Sequence, residues 1–146
     1  MIARRPASVV IDRRVDWMDT DAAGHYHHST VIRWVEAAEA VLLQRLGLQG
    51  LFGAIPRVRY EVNYLDRLWF GDIATIDLCV AKMGVSSIRY EFVVSRGTQR
   101  VATGAMIAVY TGDGHSGARK WPVEVRNGIV EGGRQIGERL LTDQGG

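Results

Sequence analysis

A chain of 146 residues with 47% hydrophobic content has the apolar mass for one domain with a real core, without disulfide or metal staples. Its 18 basic and 16 acidic residues leave a net charge of +2 and form no basic block, which argues against a nucleic-acid groove. The single cysteine, Cys79, sits in an apolar run and offers neither a disulfide framework nor a thiolate metal site.

No stretch approaches the roughly 18 apolar residues of a membrane span, and the start MIARRPASVVI lacks the apolar core of a secretion signal. A reducing cytoplasm, with no membrane or nucleic-acid partner, is the expected setting.

Residues 8–17, SVVIDRRVDW, place Val9, Ile11, Val15 and Trp17 at alternate positions, interrupted by Arg13. That is the period of a strand with one covered face. A titratable segment follows, DTDAAGHYHHST, and from about Ser29 the period becomes helical. At roughly 100° per residue, Val31, Trp34, Val35, Ala38, Val41, Leu42 and Leu46 share a face, with Arg33, Ala40 and Gln44 opposite and Gly47 as the stop. Ile32 and Leu43 on the flanks narrow the wet side, so a curved sheet should wrap this helix.

RVRYEVNYL alternates Val58, Tyr60, Val62 and Tyr64 against Arg57, Arg59, Glu61 and Asn63 and predicts a second strand. Residues 72–110 read as three strands broken at MGVSS and RGTQ, short enough connections for an antiparallel meander. Beyond the Gly-rich loop TGDGHSG, Pro122 suits the first turn of a C-terminal helix. Four glycines in that tail, each costing about 1 kcal/mol in a helix interior, weigh against its length. With no repeat or linker, residues 1–146 are expected to form a single α+β domain.

The chemistry concentrates between the first strand and the helix. Asp19 and Asp21 can end the strand and brace a turn, or supply an acid/base group. His25, His27 and His28 could be metal ligands, since His at alternate positions of an extended loop point the same way, but a closed site needs further ligands and only His115 remains among the histidines. Ser29 and Thr30 suit the capping of free helix N–H groups. Glu39 lies beside the apolar face of the helix, where a salt bridge or an acid would both fit.

These residues carry a resemblance. The order of elements resembles the hotdog fold, an antiparallel sheet wrapped around one long central helix, and DWMDTDAAGHYHHSTVIRWVEAA resembles the signature of the 4-hydroxybenzoyl-CoA thioesterase-like acyl-CoA thioesterases. In that signature an aromatic, one residue and then Asp-x-Asp-x-x-Gly precede the helix. VNYLDRLWFGDIATIDLCVAKMGVSSIRYEFVV is similar to the family's second half, with its Gly-Asp pair, and WPVEVRNGI to its end.

The resemblance implies hydrolysis of an acyl-CoA thioester, with Asp21 as the catalytic carboxylate and the His28 backbone N–H pointing at the carbonyl. Gly24, His27 and Ser29 would line the substrate site, while Asp19 would be structural. No cofactor is implied, since CoA belongs to the substrate, and the assembly would be a homodimer or homotetramer with the site near the neighbouring subunit. Two departures stand out. Asp66 and Arg67 occupy a loop where the family commonly has proline, and His27 and His28 replace aromatic or asparagine residues. Arg57, Arg59, Lys82 and Arg89 are either grips for CoA phosphates or ordinary solvated strand residues. Rival readings are a thioesterase for chains borne on an acyl carrier protein, a hotdog dehydratase or hydratase, and a non-catalytic acyl-CoA-binding module.

Overall fold

The computed structural model describes residues 5–22, 24–25, 28–112 and 117–140. Strand β1 (Ser8–Arg14) leads through a short 3-10 turn (Trp17–Asp19) to helix α1 (His28–Arg45). Strands β2 (Arg57–Tyr64), β3 (Ile73–Met83), β4 (Ser87–Arg96) and β5 (Gln99–Val109) follow, then helix α2 (Val123–Val130) and strand β6 (Arg134–Glu138). All six strands form one sheet in the order β2-β5-β4-β3-β1-β6.

The sheet wraps α1. Along β3, Ala74, Ile76, Leu78 and Val80 are buried while the residues between them are partly exposed, the period-two pattern of a sheet with one face on a core. Against that face α1 lays Val31, Trp34, Val35, Ala38 and Leu42, and the common core takes in Tyr90, Phe92 and Met106. Fully burying one such large apolar side chain contributes about 1.5–3 kcal/mol, so this single interface dominates the stability of the fold. Leu43 is buried too, as the narrow wet side of the helix requires, whereas Arg33 and Gln44 are exposed.

Three sequence expectations change. The first strand stops at Arg14 rather than running to residue 17. Val15 stays buried, but the chain then turns: the Asp16 N–H donates to Asp19 Oδ2 at 2.8 Å, and Trp17 is left 72% exposed. The C-terminal helix spans only Val123–Val130, and the glycine-rich segment beyond it leads into β6 instead of more helix.

Strand β6 runs parallel to β1, so the sheet is mixed, with five antiparallel-paired strands and one parallel edge. The third change lies in β2, where Arg57 pairs with Ala108 but Arg59 pairs with the adjacent Ile107. The extra residue, Val58, is a β-bulge. It turns Arg57 onto the helix-facing side that simple alternation assigns to Val58, and leaves Val58 60% exposed.

Candidate active site

The loop between β1 and α1 is held by three sets of bonds. Val15 exchanges backbone hydrogen bonds with the segment before β3, its N–H donating to Asp72 O at 2.8 Å and its carbonyl accepting from Gly71 N at 2.9 Å. Asp19 is buried and ties the turn to the helix. Its carboxylate accepts from Arg33 Nη2 at 2.8 Å as well as from Asp16 N, and its carbonyl accepts from Thr30 Oγ1 at 2.9 Å. Asp21 then opens a tight turn: Gly24 N–H donates to Asp21 O, and Asp21 N–H to His25 O, both at 3.0 Å. Gly24 has φ +87°, a left-handed conformation that a side chain disfavours, and its α-carbon faces the ring of Trp69. His25 bridges to Trp69 and meets its indole edge-on, the ring centroids 5.6 Å apart.

This turn faces the start of α1 across a cleft of about 480 Å³. Asp21 and His25 from the turn, His28 from the start of α1, and Tyr64, Leu65, Asp66 and Arg67 from the end of β2 line it. The Tyr64 hydroxyl donates to the His28 carbonyl, fixing the end of β2 to the first residue of the helix. The first N–H groups of a helix have no intrahelical acceptor, and they sit at the positive end of its dipole. The cleft therefore brings a carboxylate to the first residue of a helix.

Of the residues singled out by sequence, Asp21 and His28 share this cleft. Gly24 supports its turn without lining it, Ser29 lies exposed on the first turn of α1 outside the lining, and His27 falls outside the described residues. His25, considered in sequence only as a metal ligand, and the whole β2 side were missed as cleft residues. The Asp66–Arg67 departure was the one signal that pointed there.

The basic candidates for CoA phosphates divide. Arg57 is committed to the helix, with Nη2 on Glu39 and Nε 3.3 Å from Glu36. Arg59 pairs with Glu61, Arg89 pairs with Glu91 at 3.2 Å, and Lys82 is exposed. Glu39 itself is only 3% exposed, buried beside the Tyr90 hydroxyl and the Arg57 guanidinium. Burial pushes its carboxyl above the usual range, against the pull of the Arg57 guanidinium. It lies three turns beyond His28, about 16 Å along the helix at ~1.5 Å per residue, and outside the cleft lining.

One long helix wrapped by a largely antiparallel sheet defines a hotdog fold. A family model described as the thioesterase-like superfamily matches residues 15–129, and the chain belongs to that family. Its reaction is thioester hydrolysis.

A 1,4-dihydroxy-2-naphthoyl-CoA hydrolase of Prochlorococcus marinus is 29% identical over 105 residues, covering 63% of this chain and 68% of the relative. Among solved structures, a thioesterase from Thermus thermophilus complexed with coenzyme A and Zn aligns with TM-score 0.76 and 25% identity, over 84% of this chain and 93% of that one. A 4-hydroxybenzoyl-CoA thioesterase variant complexed with 4-hydroxybenzoyl-CoA shares the fold, with TM-score 0.75 and 23% identity over 84% and 98% of the two chains.

Proposed function

We propose that this protein hydrolyses an acyl-CoA thioester at the cleft between the Asp21 turn and the start of α1. The thioester carbonyl lies against the helix N-terminus, where the His28 N–H donates to the oxygen as negative charge develops on it. Asp21 either attacks the carbonyl carbon or removes a proton from a water that does so. In both cases the carbon–sulfur bond breaks and the thiolate of CoA leaves and takes up a proton. Direct attack by water gives the free acid at once, whereas attack by Asp21 leaves an acyl–aspartyl anhydride that a water then hydrolyses to the free acid and the restored carboxylate. The observation that carries this reading is that Asp21 and His28 line the same cleft from separate elements.

The same reading includes a homodimer. Strand β2 lies at the edge of the sheet and ends in the cleft, and the surface beside the Asp21 turn carries exposed Trp17, Met18 and Phe70. Those features support a second copy completing the walls of the site, since an unpaired edge strand is a template for pairing.

Thiol release from aromatic, short, medium and long acyl-CoAs, and from the same acyl groups on a carrier protein, tests the activity and finds its substrate. Asp21→Asn keeps the shape and removes the charge. We expect kcat to fall by about 10²-fold or more, the scale of a lost base or nucleophile, with KM nearly unchanged. A variant with parental kcat rejects the assignment, and Glu39→Gln, remote from the cleft, should keep kcat. Single turnover in ¹⁸O-water separates the two routes, because label enters the Asp21 carboxylate only through a covalent anhydride.

A further inference from the structure

The β2-side wall of the cleft is held from behind by one arginine that does not line it. Arg96 ends β4 at the two-residue connection into β5, and its side chain bonds to the segment before β3 and to the start of β5. Its Nη1 donates to the Arg67 carbonyl at 2.8 Å and approaches Asp72 Oδ2 at 3.4 Å. Its Nη2 donates to Gln99 Oε1 at 3.0 Å and approaches Asp66 Oδ2 at 3.4 Å. The two carboxylates extend the grip. Asp66 accepts from the Arg67 N–H at 2.8 Å and from the Gln99 amide, and Asp72 Oδ2 accepts from Trp69 N at 2.9 Å.

One guanidinium therefore gathers both ends of the segment from residue 66 to residue 72. That segment bears on the cleft in two ways. At one end it supplies Asp66 and Arg67 to the wall. At the other, Trp69 bridges His25 and backs Gly24, which fixes the turn whose His25 carbonyl holds the Asp21 N–H at 3.0 Å. Only a planar fork of donors can reach two carboxylates, a carbonyl and an amide from one position; a lysine ammonium offers a single point.

We propose that Arg96 is a positioning residue of the thioesterase site, setting the β2-side wall directly and seating the Asp21 turn through Trp69. The second half of this rests on the reading of Asp21 given above; the first does not. The wall is one bond from Arg96 and the Asp21 turn is several contacts away, so substrate binding should suffer more than chemistry.

Steady-state thiol release is compared for the parent, Arg96→Ala and Arg96→Lys, well below the melting temperature of each. KM does not depend on the fraction of folded enzyme, so a merely structural role would leave it unmoved. We expect Arg96→Ala to raise KM about tenfold and lower kcat about threefold, with Arg96→Lys recovering less than half of the change in KM. A parental KM in Arg96→Ala, or full recovery by lysine, overturns the proposal.

If the parent releases no thiol from any acyl thioester, the functional reading fails separately. The affinity for a non-hydrolysable acyl-CoA thioether then decides: binding about tenfold weaker in Arg96→Ala supports the wall role, and equal binding, or none by the parent, overturns it.

Discussion

Glu39 shows how much one side chain's setting can differ from its place in a helical wheel. It sits beside the apolar stripe of α1, yet it is buried, with Arg57 on one oxygen and the Tyr90 hydroxyl close by. Desolvation outweighs the attraction of Arg57, so its folded pKa lies above the ordinary carboxylate value. The folded state then holds a proton that the unfolded state has released over the window between the two values. Stability from this group is complete below that window and is lost as pH rises through it. The difference in urea midpoint between the parent and Glu39→Gln, followed from about pH 4 to pH 8, should therefore shift steadily in favour of the glutamine variant. Equal pH slopes would mean that Arg57 compensates fully.

At the scale of elements, β6 and β2 form opposite edges of the sheet and are made differently. β6 has 5 residues and joins β1 by a short parallel pairing with a register shift, a weak attachment that needs close backbone approach. Gly137 provides it: a Cβ there would fall 1.6 Å from the carbonyl oxygen of Val10. Beyond β6 the chain is pinned by buried Asp12, which accepts from Thr75 Oγ1 at 2.8 Å, Arg139 Nε at 3.0 Å and Leu140 N at 2.9 Å.

Gly137→Ala should push β6 off the sheet, destabilising by about 1–3 kcal/mol, the usual cost of overpacking. Amide exchange should rise in β6 and change little in β3, β4 and β5. Uniform loss of protection across all strands would show that β6 and the meander unfold as one unit.

For the molecule as a whole, the feature that tests the proposed assembly is the β2 edge of the sheet. β2 has 8 residues, ends at the cleft and exposes Val58 and Tyr64. Pairing of two such edges about a twofold axis would cover the exposed Val58 with the partner strand. Light scattering at about 10 μM should give at least twice the monomer mass, and Val58→Lys, which puts a charge on the edge strand that pairing would cover, should weaken the assembly about tenfold or more. If Val58→Lys retains the parental mass at every dilution, the contact lies elsewhere. A monomeric parent with full activity would remove the partner from the mechanism.

Periodicity alone located α1 and the strands β2 to β5, because an amphipathic helix and a sheet on a core leave regular residue spacings that need no tertiary knowledge. The Asp-x-Asp-x-x-Gly turn before the helix likewise put Asp21 and His28 within local reach of each other. What spacing could not carry was anything fixed by a distant partner. The tail's turn from helix into strand depends on a free edge of β1 to pair with, and the side to which Arg57 points depends on a bulge that only pairing with β5 reveals. Tyr64, Asp66 and Arg67 join the cleft because the sheet's curvature returns the end of β2 to the helix start, and Arg96 reaches their segment from the far end of β4. Local chemistry is written in neighbouring residues, but these contacts join positions tens of residues apart, and only the folded sheet brings them together.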